Sequence, residues 1–238
     1  RPGLANRLGA RMTPYVATTF AATALPHAHP VGMPLRQEIS QLDRTASRGA
    51  AMAHFGLDPA RRTLLVFGGS LGAQRLNEAF SAVSSDFARL GVQVLHLTGA
   101  GKGVVVDTLS EGGDPARYRV VDYTDRMDLA YAAADLAVCR SGAVTVCELA
   151  AVGLPAIYVP LPIGNGEQRL NAASVVAAGG GQLVNDADLT PAWVRSTVIP
   201  LMNNPALLRT MATAAASVGE RDADEYLADF LDKATGRS

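Results

Sequence analysis

Short apolar runs alternate with longer alanine-rich segments along most of this chain, and that alternation restricts its fold more than any other feature. The runs are Thr63–Phe67, Val92–Leu97, Tyr118–Val121, Asp135–Cys139, Ala156–Val159 and Gln182–Val184. Between them the pattern predicts helices near Ala73–Leu90, Gly103–Glu111, Met127–Ala133, Val144–Ala151, Gln168–Ala178 and Pro191–Asn203. Uninterrupted apolarity suits strands covered on both faces, and strand–helix repetition suits a parallel sheet. The expected fold class is α/β, a doubly wound, Rossmann-like parallel sheet over roughly residues 60–200. Ligands of such sheets bind at the carboxyl ends of the strands, so chemistry is expected in the strand-to-helix loops.

The flanks read differently. Residues 37–58 are predicted to be helical, with Asp58-Pro59 as the stop, and the tail to be helical over Leu207–Val218 and Asp222–Leu231. In residues 1–35 a helix over Gly3–Arg11 and strands over Tyr15–Phe20 and Pro30–Gly32 are expected, too little apolar material for an independent core. With 21 basic and 22 acidic residues the net charge is −1. That balance argues against a nucleic-acid partner and against a polybasic membrane anchor. Two cysteines, Cys139 and Cys147, make no disulfide framework and fit a reducing, cytoplasmic setting. The four histidines show no metal-ligand spacing with them, so neither a metal nor a cofactor is expected.

Three strand-to-helix loops carry polar or glycine-rich motifs. Gly68-Gly69-Ser70-Leu71-Gly72 follows the first strand and precedes a helix. Glycines permit a tight turn and close approach of backbone to a ligand, and the helix start offers free N–H groups to phosphate. From this loop alone, phosphate binding and a purely structural turn fit equally well. The second motif is Cys139-Arg140-Ser141-Gly142-Ala143-Val144-Thr145-Val146-Cys147-Glu148. Here Ser141 is placed to cap the helix, Gly142 leaves its N–H groups open, and Ser141, Thr145 and Glu148 share one helix face. A carboxylate there can accept from a ribose diol; the competing reading is a solvated glutamate. Its neighbours Val146, Cys147, Leu149 and Ala150 make an unpaired charge costly, which favours the functional role. The third motif, Pro160–Asn171, clusters Glu167, Gln168 and Asn171 at a helix start, with amides suited to sugar hydroxyls. Alone it is an ordinary loop; three such loops on one sheet edge make it more. Arg36, in Gly32-Met33-Pro34-Leu35-Arg36, is positioned to meet a phosphate or stack on a base, though taken alone it is better explained as a surface arginine.

These motifs, in this order, resemble the nucleotide-sugar-binding, C-terminal half of GT-B glycosyltransferases, and more narrowly the MurG family. The resemblance is carried by Gly32–Arg36, Phe67–Ala73, Asp135–Glu148, Gly153–Ala156 and Glu167–Asn171. It implies transfer of N-acetylglucosamine from UDP-N-acetylglucosamine (UDP-GlcNAc) to lipid I, giving lipid II for peptidoglycan, with inversion and without a required metal. It implies that Gly69, Ser70 and Gly72, with Ser141 and Gly142, face the pyrophosphate. Arg36 would lie near the nucleotide, backbone at Thr124 would read the uracil edge and Glu148 would hold the ribose. Ala143, Gln168 and Asn171 would contact the sugar, with Thr145 beside them. Two departures stand out: Asp125-Arg126 where the family commonly has paired acids, and Glu167-Gln168 where it has paired glutamines.

The family's GGxGGH segment, with the expected catalytic base, acceptor site and membrane patch, is not found in residues 1–33. Those residues are therefore expected to be the end of an N-terminal acceptor domain, and residues 34–238 the donor domain. On this reading Arg1 is an internal position of a longer protein, peripheral on the inner membrane face, and the chain alone binds the donor but transfers sugar poorly. The alternatives are a stand-alone UDP-sugar-binding module, or another GT-B enzyme such as a UDP-GlcNAc epimerase, which would need acid/base carboxylates and histidines in the cleft.

Overall fold

The computed structural model describes residues 2–69, 74–106, 118–162 and 166–236. The chain opens with α1 (Leu4–Gly9), β1 (Val16–Thr18), β2 (Ala28–Pro30), α2 (Gln37–Ser40) and α3 (Arg44–Phe55). It continues through β3 (Arg62–Phe67), α4 (Gln74–Ser81), α5 (Ser84–Arg89), β4 (Val92–Leu97), β5 (Tyr118–Val121), α6 (Met127–Ala133) and β6 (Leu136–Cys139). Next come α7 (Ala143–Ala151), β7 (Ala156–Tyr158), α8 (Glu167–Asn171), α9 (Ala173–Ala177) and β8 (Gly181–Leu183). The chain closes with α10 (Pro191–Trp193), α11 (Ile199–Met202), α12 (Pro205–Ala216) and α13 (Ala223–Thr235).

The six strands β3–β8 form one sheet in the order β5-β4-β3-β6-β7-β8, and every pairing is parallel. The strand order reverses between β3 and β6, the topological switch point of a doubly wound sheet. Alternation along β3 shows why its run is apolar throughout. Leu65 and Phe67 enter a core with Ile39, Met52, Phe55 and Leu149, while Leu64 and Val66 enter a second core with Phe80, Phe87, Met202 and Met211.

Local chemistry fixes the helices around this sheet. Asp43 caps α3, accepting from Thr45 N at 2.9 Å and Ala46 N at 3.0 Å, and Gly56 ends it in the left-handed region at φ 65°. Arg44 then forks onto three carbonyls: Nε to Tyr131 O at 3.0 Å, Nη1 to Gly153 O at 2.8 Å, and Nη2 to Ala134 O. One guanidinium thus satisfies the ends of α6 and α7.

Residues 2–33 contain a small parallel pair, β1 with β2, rather than a core of their own. The rings of Tyr15 and His29 pack on Phe230 of α13, at 6.1 and 5.3 Å between centroids, so the tail returns to the start of the chain.

Several expected elements need correction. The helix expected over Ala73–Leu90 is two, broken after Ser81, whose hydroxyl donates to Glu78 O and competes with the backbone ladder. The one expected over Gln168–Ala178 begins at Glu167 and is interrupted at Ala172, beyond the anchored Asn171 side chain. Of Gly103–Glu111, residues 103–106 are not helical, following Gly99 and Gly101 at φ 90° and 70°; residues 107–111 lie outside the described residues. Pro191–Asn203 contains a π-helical stretch, Val194–Val198, just before Pro200, which lacks a backbone donor. The strand expected at Pro30–Gly32 lies at Ala28–Pro30, because Gly32 turns away at φ 86° to pass Ala223.

Candidate functional site

At the switch point the carboxyl ends of β3 and β6 part. β3 runs into Gly68 and Gly69, the latter at φ 68°, where no added Cβ would meet anything within 4 Å. A cleft of about 430 Å³ opens there, lined among others by Arg36, Phe67, Gly69, Lys102, Tyr123 and Thr124. Residues following β4 and β5 supply Lys102, Tyr123 and Thr124. Arg36 comes from the extended position just before α2. Ser70 and Gly72 lie outside the described residues.

On the β6 side, the start of α7 differs from the expectation. Gly142, not Ser141, is its N-cap, with extended dihedrals (φ −61°, ψ 147°) and no side-chain cap. Ser141 is one residue too early to cap, and among the described residues its buried hydroxyl has no hydrogen-bond partner. The first-turn N–H groups of α7, from Ala143 to Thr145, therefore stay open to an anion. Asn171 donates from Nδ2 to Ser141 O at 3.0 Å, and Gln168 Oε1 accepts from Leu161 N at 2.9 Å. Both amides thus hold the loops that shape the site, a role the sequence did not suggest.

Glu148 sits on α7 and is buried. The Tyr131 hydroxyl donates to its Oε2 at 2.7 Å, and Arg36 Nη2 stands 3.7 Å from its Oε1. Burial first, then the Glu148 charge, pushes the Tyr131 hydroxyl well above its ordinary value, so it stays a donor. The buried carboxylate is thus paired, answering the cost that its apolar neighbours imposed. Thr145, half-buried, lies one turn nearer the helix start.

Residues 63–227 match the glycosyltransferase family 28 C-terminal domain. The chain belongs to this family. A relative from Leifsonia xyli subsp. xyli, named UDP-N-acetylglucosamine--N-acetylmuramyl-(pentapeptide) pyrophosphoryl-undecaprenol N-acetylglucosamine transferase, is 58% identical over 231 residues. The match covers 97% of this chain and 63% of that relative. A protein of the same name from Acidothermus cellulolyticus is 55% identical over 236 residues, covering 98% of this chain and 64% of the relative. The crystal structure of Acinetobacter baumannii MurG superposes with a TM-score of 0.77 at 28% identity, over 98% of this chain and 64% of that one. The chain thus spans somewhat less than two thirds of the length of these relatives.

Gly69 and Thr124 of the matched region meet Arg36, which precedes it, in the cleft, and Glu148 lies behind Arg36. Thr124 Oγ1 accepts from Arg126 N at 3.0 Å, stiffening the turn. Arg126 closes on both oxygens of Asp128, at 3.0 and 2.8 Å, and holds that carboxyl below the usual range. The departure from paired acids therefore produces a local clasp at the start of α6. Arg140 donates to Val159 O at 3.2 Å and contacts Asp186 at 2.6 Å, tying β6 to β7 and to the segment after β8. The sequence reading missed Tyr131 and Lys102. A buried glutamate demanded a partner, but nothing in the sequence said that α6 would supply it. No helix among the described residues is long and apolar enough to cross a membrane.

Proposed function

We propose that this chain is the donor-binding half of an inverting N-acetylglucosaminyltransferase that takes UDP-GlcNAc as donor and lipid I as acceptor, forming lipid II for peptidoglycan. The observation that carries the reading is the cleft at the switch point. Its lining holds the glycine turn at Gly69 and the cation Arg36, which stands 3.7 Å from the buried, tethered Glu148. The uncapped start of α7 follows the neighbouring strand β6 at the same switch point; phosphate and diol recognition call for these features. The names of the relatives supply the sugar and the acceptor.

In this reading the start of α7 at Ser141 and Gly142, with the glycine loop of Gly69, Ser70 and Gly72, takes the pyrophosphate. Arg36 neutralises it, and both stabilise the charge that develops on departing UDP. Backbone at Thr124 reads the uracil and Glu148 accepts from the ribose. Ala143, Gln168 and Asn171 contact the sugar, with Thr145 on the same helix face as Glu148. The base that deprotonates the acceptor hydroxyl comes from the acceptor side. Residues 34–238 form the donor domain and residues 1–33 the end of the acceptor domain. This division is supported by Leu4, Leu8 and Met12, which are 73%, 53% and 87% exposed, an apolar stripe suited to a covering domain. The complete protein works on the cytoplasmic face of the membrane, where its lipid acceptor lies.

Calorimetric titration of the chain with UDP-GlcNAc, other UDP-sugars and GDP-sugars tests this. Binding is expected for the UDP compounds, tightest for UDP-GlcNAc; equal affinity for GDP-sugars, or no binding, overturns it. The chain alone is expected not to turn over lipid I.

A further inference from the structure

We infer that Tyr131 is a positioning residue that fixes the Glu148 carboxylate with one oxygen turned toward the cleft, and so sets a preference for ribonucleotide over deoxyribonucleotide donors. The inference deepens the donor-site reading above and rests on it.

The geometry assigns the two oxygens of Glu148 different tasks. Oε2 accepts from the Tyr131 hydroxyl at 2.7 Å, a short charge-assisted bond inside the core. Oε1 stands 3.7 Å from Arg36 Nη2, beyond hydrogen-bond length, and Arg36 lines the cleft. One oxygen is therefore spent on holding the side chain, and the other faces Arg36, a residue of the cleft lining, at a distance that leaves it free to accept a hydrogen bond.

Tyr131 is itself held rigidly. It is 1% exposed, its ring packs beside Phe67 at 6.2 Å between centroids, and its carbonyl accepts from Arg44 Nε at 3.0 Å. Phe67 is also the last residue of β3 and lines the cleft, so this ring contact ties the tyrosine to the cleft wall. For packing alone a phenylalanine would fill the same space. A buried hydroxyl needs a partner, and the partner here is the carboxylate.

Without that hydroxyl, Glu148 is drawn toward the cation in reach, Arg36. The carboxylate would then close on the guanidinium and its acceptor would no longer face a diol. Such a change weakens binding only for ligands that present the hydroxyl. A loss of packing would weaken binding of every nucleotide alike.

The test is calorimetry with UDP and 2′-deoxy-UDP on the full chain and on Tyr131→Phe, with thermal melts beside it. The unsubstituted chain is expected to bind UDP about tenfold more tightly than 2′-deoxy-UDP, the scale of one hydrogen bond to a charged group. In Tyr131→Phe the ratio is expected to fall below about threefold, through weaker UDP binding with 2′-deoxy-UDP nearly unchanged. A ratio preserved in Tyr131→Phe overturns the inference while leaving the donor site intact, and so does an equal loss for both ligands. Failure of the unsubstituted chain to bind either ligand overturns the donor-site reading and the inference with it. Should Tyr131→Phe not fold, 3-fluorotyrosine at position 131 keeps the hydroxyl and reports through its fluorine resonance. A shift on adding UDP but not on adding saturating 2′-deoxy-UDP supports the inference; the same response to both overturns it.

Discussion

Arg36 and Glu148 stand 3.7 Å apart, one largely exposed at the cleft and the other buried behind it. They come from positions more than a hundred residues apart, before α2 and within α7. A cation at the surface of the cleft, backed by a carboxylate, suits a ligand with both a phosphate and a diol. Glu148→Ala is expected to weaken UDP binding by about 1–3 kcal/mol. Calorimetry checks this, and an unchanged affinity in a folded variant removes Glu148 from the site.

Gly142 allows binding and folding to be separated. A Cβ there would meet only Thr145 Oγ1, at 3.8 Å, and the backbone already has dihedrals open to any residue. Gly142→Ala should melt within a few degrees of the parent, since a glycine-to-alanine change at this cap costs well under ~1 kcal/mol. It should nevertheless bind UDP at least about tenfold less tightly, because a methyl group occupies the approach of the phosphate. Gly180→Ala is the converse, because its Cβ would lie 2.5 Å from the Ala215 backbone and should destabilise the fold outright. Melting curves and titrations on the two variants give opposite patterns if this is right.

Arg44 bonds three carbonyls at the ends of α6 and α7. Arg44→Ala leaves all three without their donor and should cost about 3 kcal/mol or more in urea unfolding. Arg44→Lys should recover little, since an ammonium has no planar fork to span them.

His96 lies buried in β4, with Nδ1 2.9 Å from the Tyr118 hydroxyl and Nε2 2.9 Å from Asn77 Oδ1. The Asn77 amide donates to Thr98 O, so its oxygen accepts from Nε2–H, and Nδ1 accepts from Tyr118. The neutral ring satisfies both partners. Burial lowers its pKa from 6.5 to about 4. The unfolded chain binds this proton more readily, so the contribution is complete above pH 6.5 and is lost as pH falls through 4. Its size is about 3 kcal/mol. Because carboxylates titrate in the same range, the measurement is a comparison of unfolding free energies at pH 7 and 4.5. The drop should be smaller in His96→Gln than in the parent.

The sheet was legible because its strands are buried on both faces and mostly apolar, as in Leu64–Phe67; in Val92–Leu97 the two polar residues, Gln93 and His96, are buried and hydrogen-bonded. Bounds there fall within a residue or two. Helix interruptions were not legible, because Ser81 and Ala172 break no rule of composition; side-chain bonds and packing decide them. Of the candidate site, the backbone geometry was legible, the turn at Gly69 and the open helix start at Gly142, and less so the contacts by which side chains reach across elements. Gln168 and Asn171 read as sugar contacts from their polarity, and in the structure each side chain bonds the backbone of a neighbouring loop. Tyr131 lies in an alanine-rich helix with no motif around it, and only the packing of α6 brings it to Glu148.

Arg221, beyond α12, donates from Nε to Ala151 O at 2.8 Å and from Nη1 to Ser40 O and Leu42 O at 2.9 and 3.1 Å. One side chain thereby joins the far end of α2, whose start carries Arg36, to the far end of α7, whose middle carries Glu148. During synthesis both helices leave the ribosome long before residue 221 is made, and domains acquire their structure in that order. The elements that carry the Arg36–Glu148 pair are therefore joined only after residue 221 has been made, and a nascent chain stalled before Arg221 holds every residue of the cleft without this link between α2 and α7.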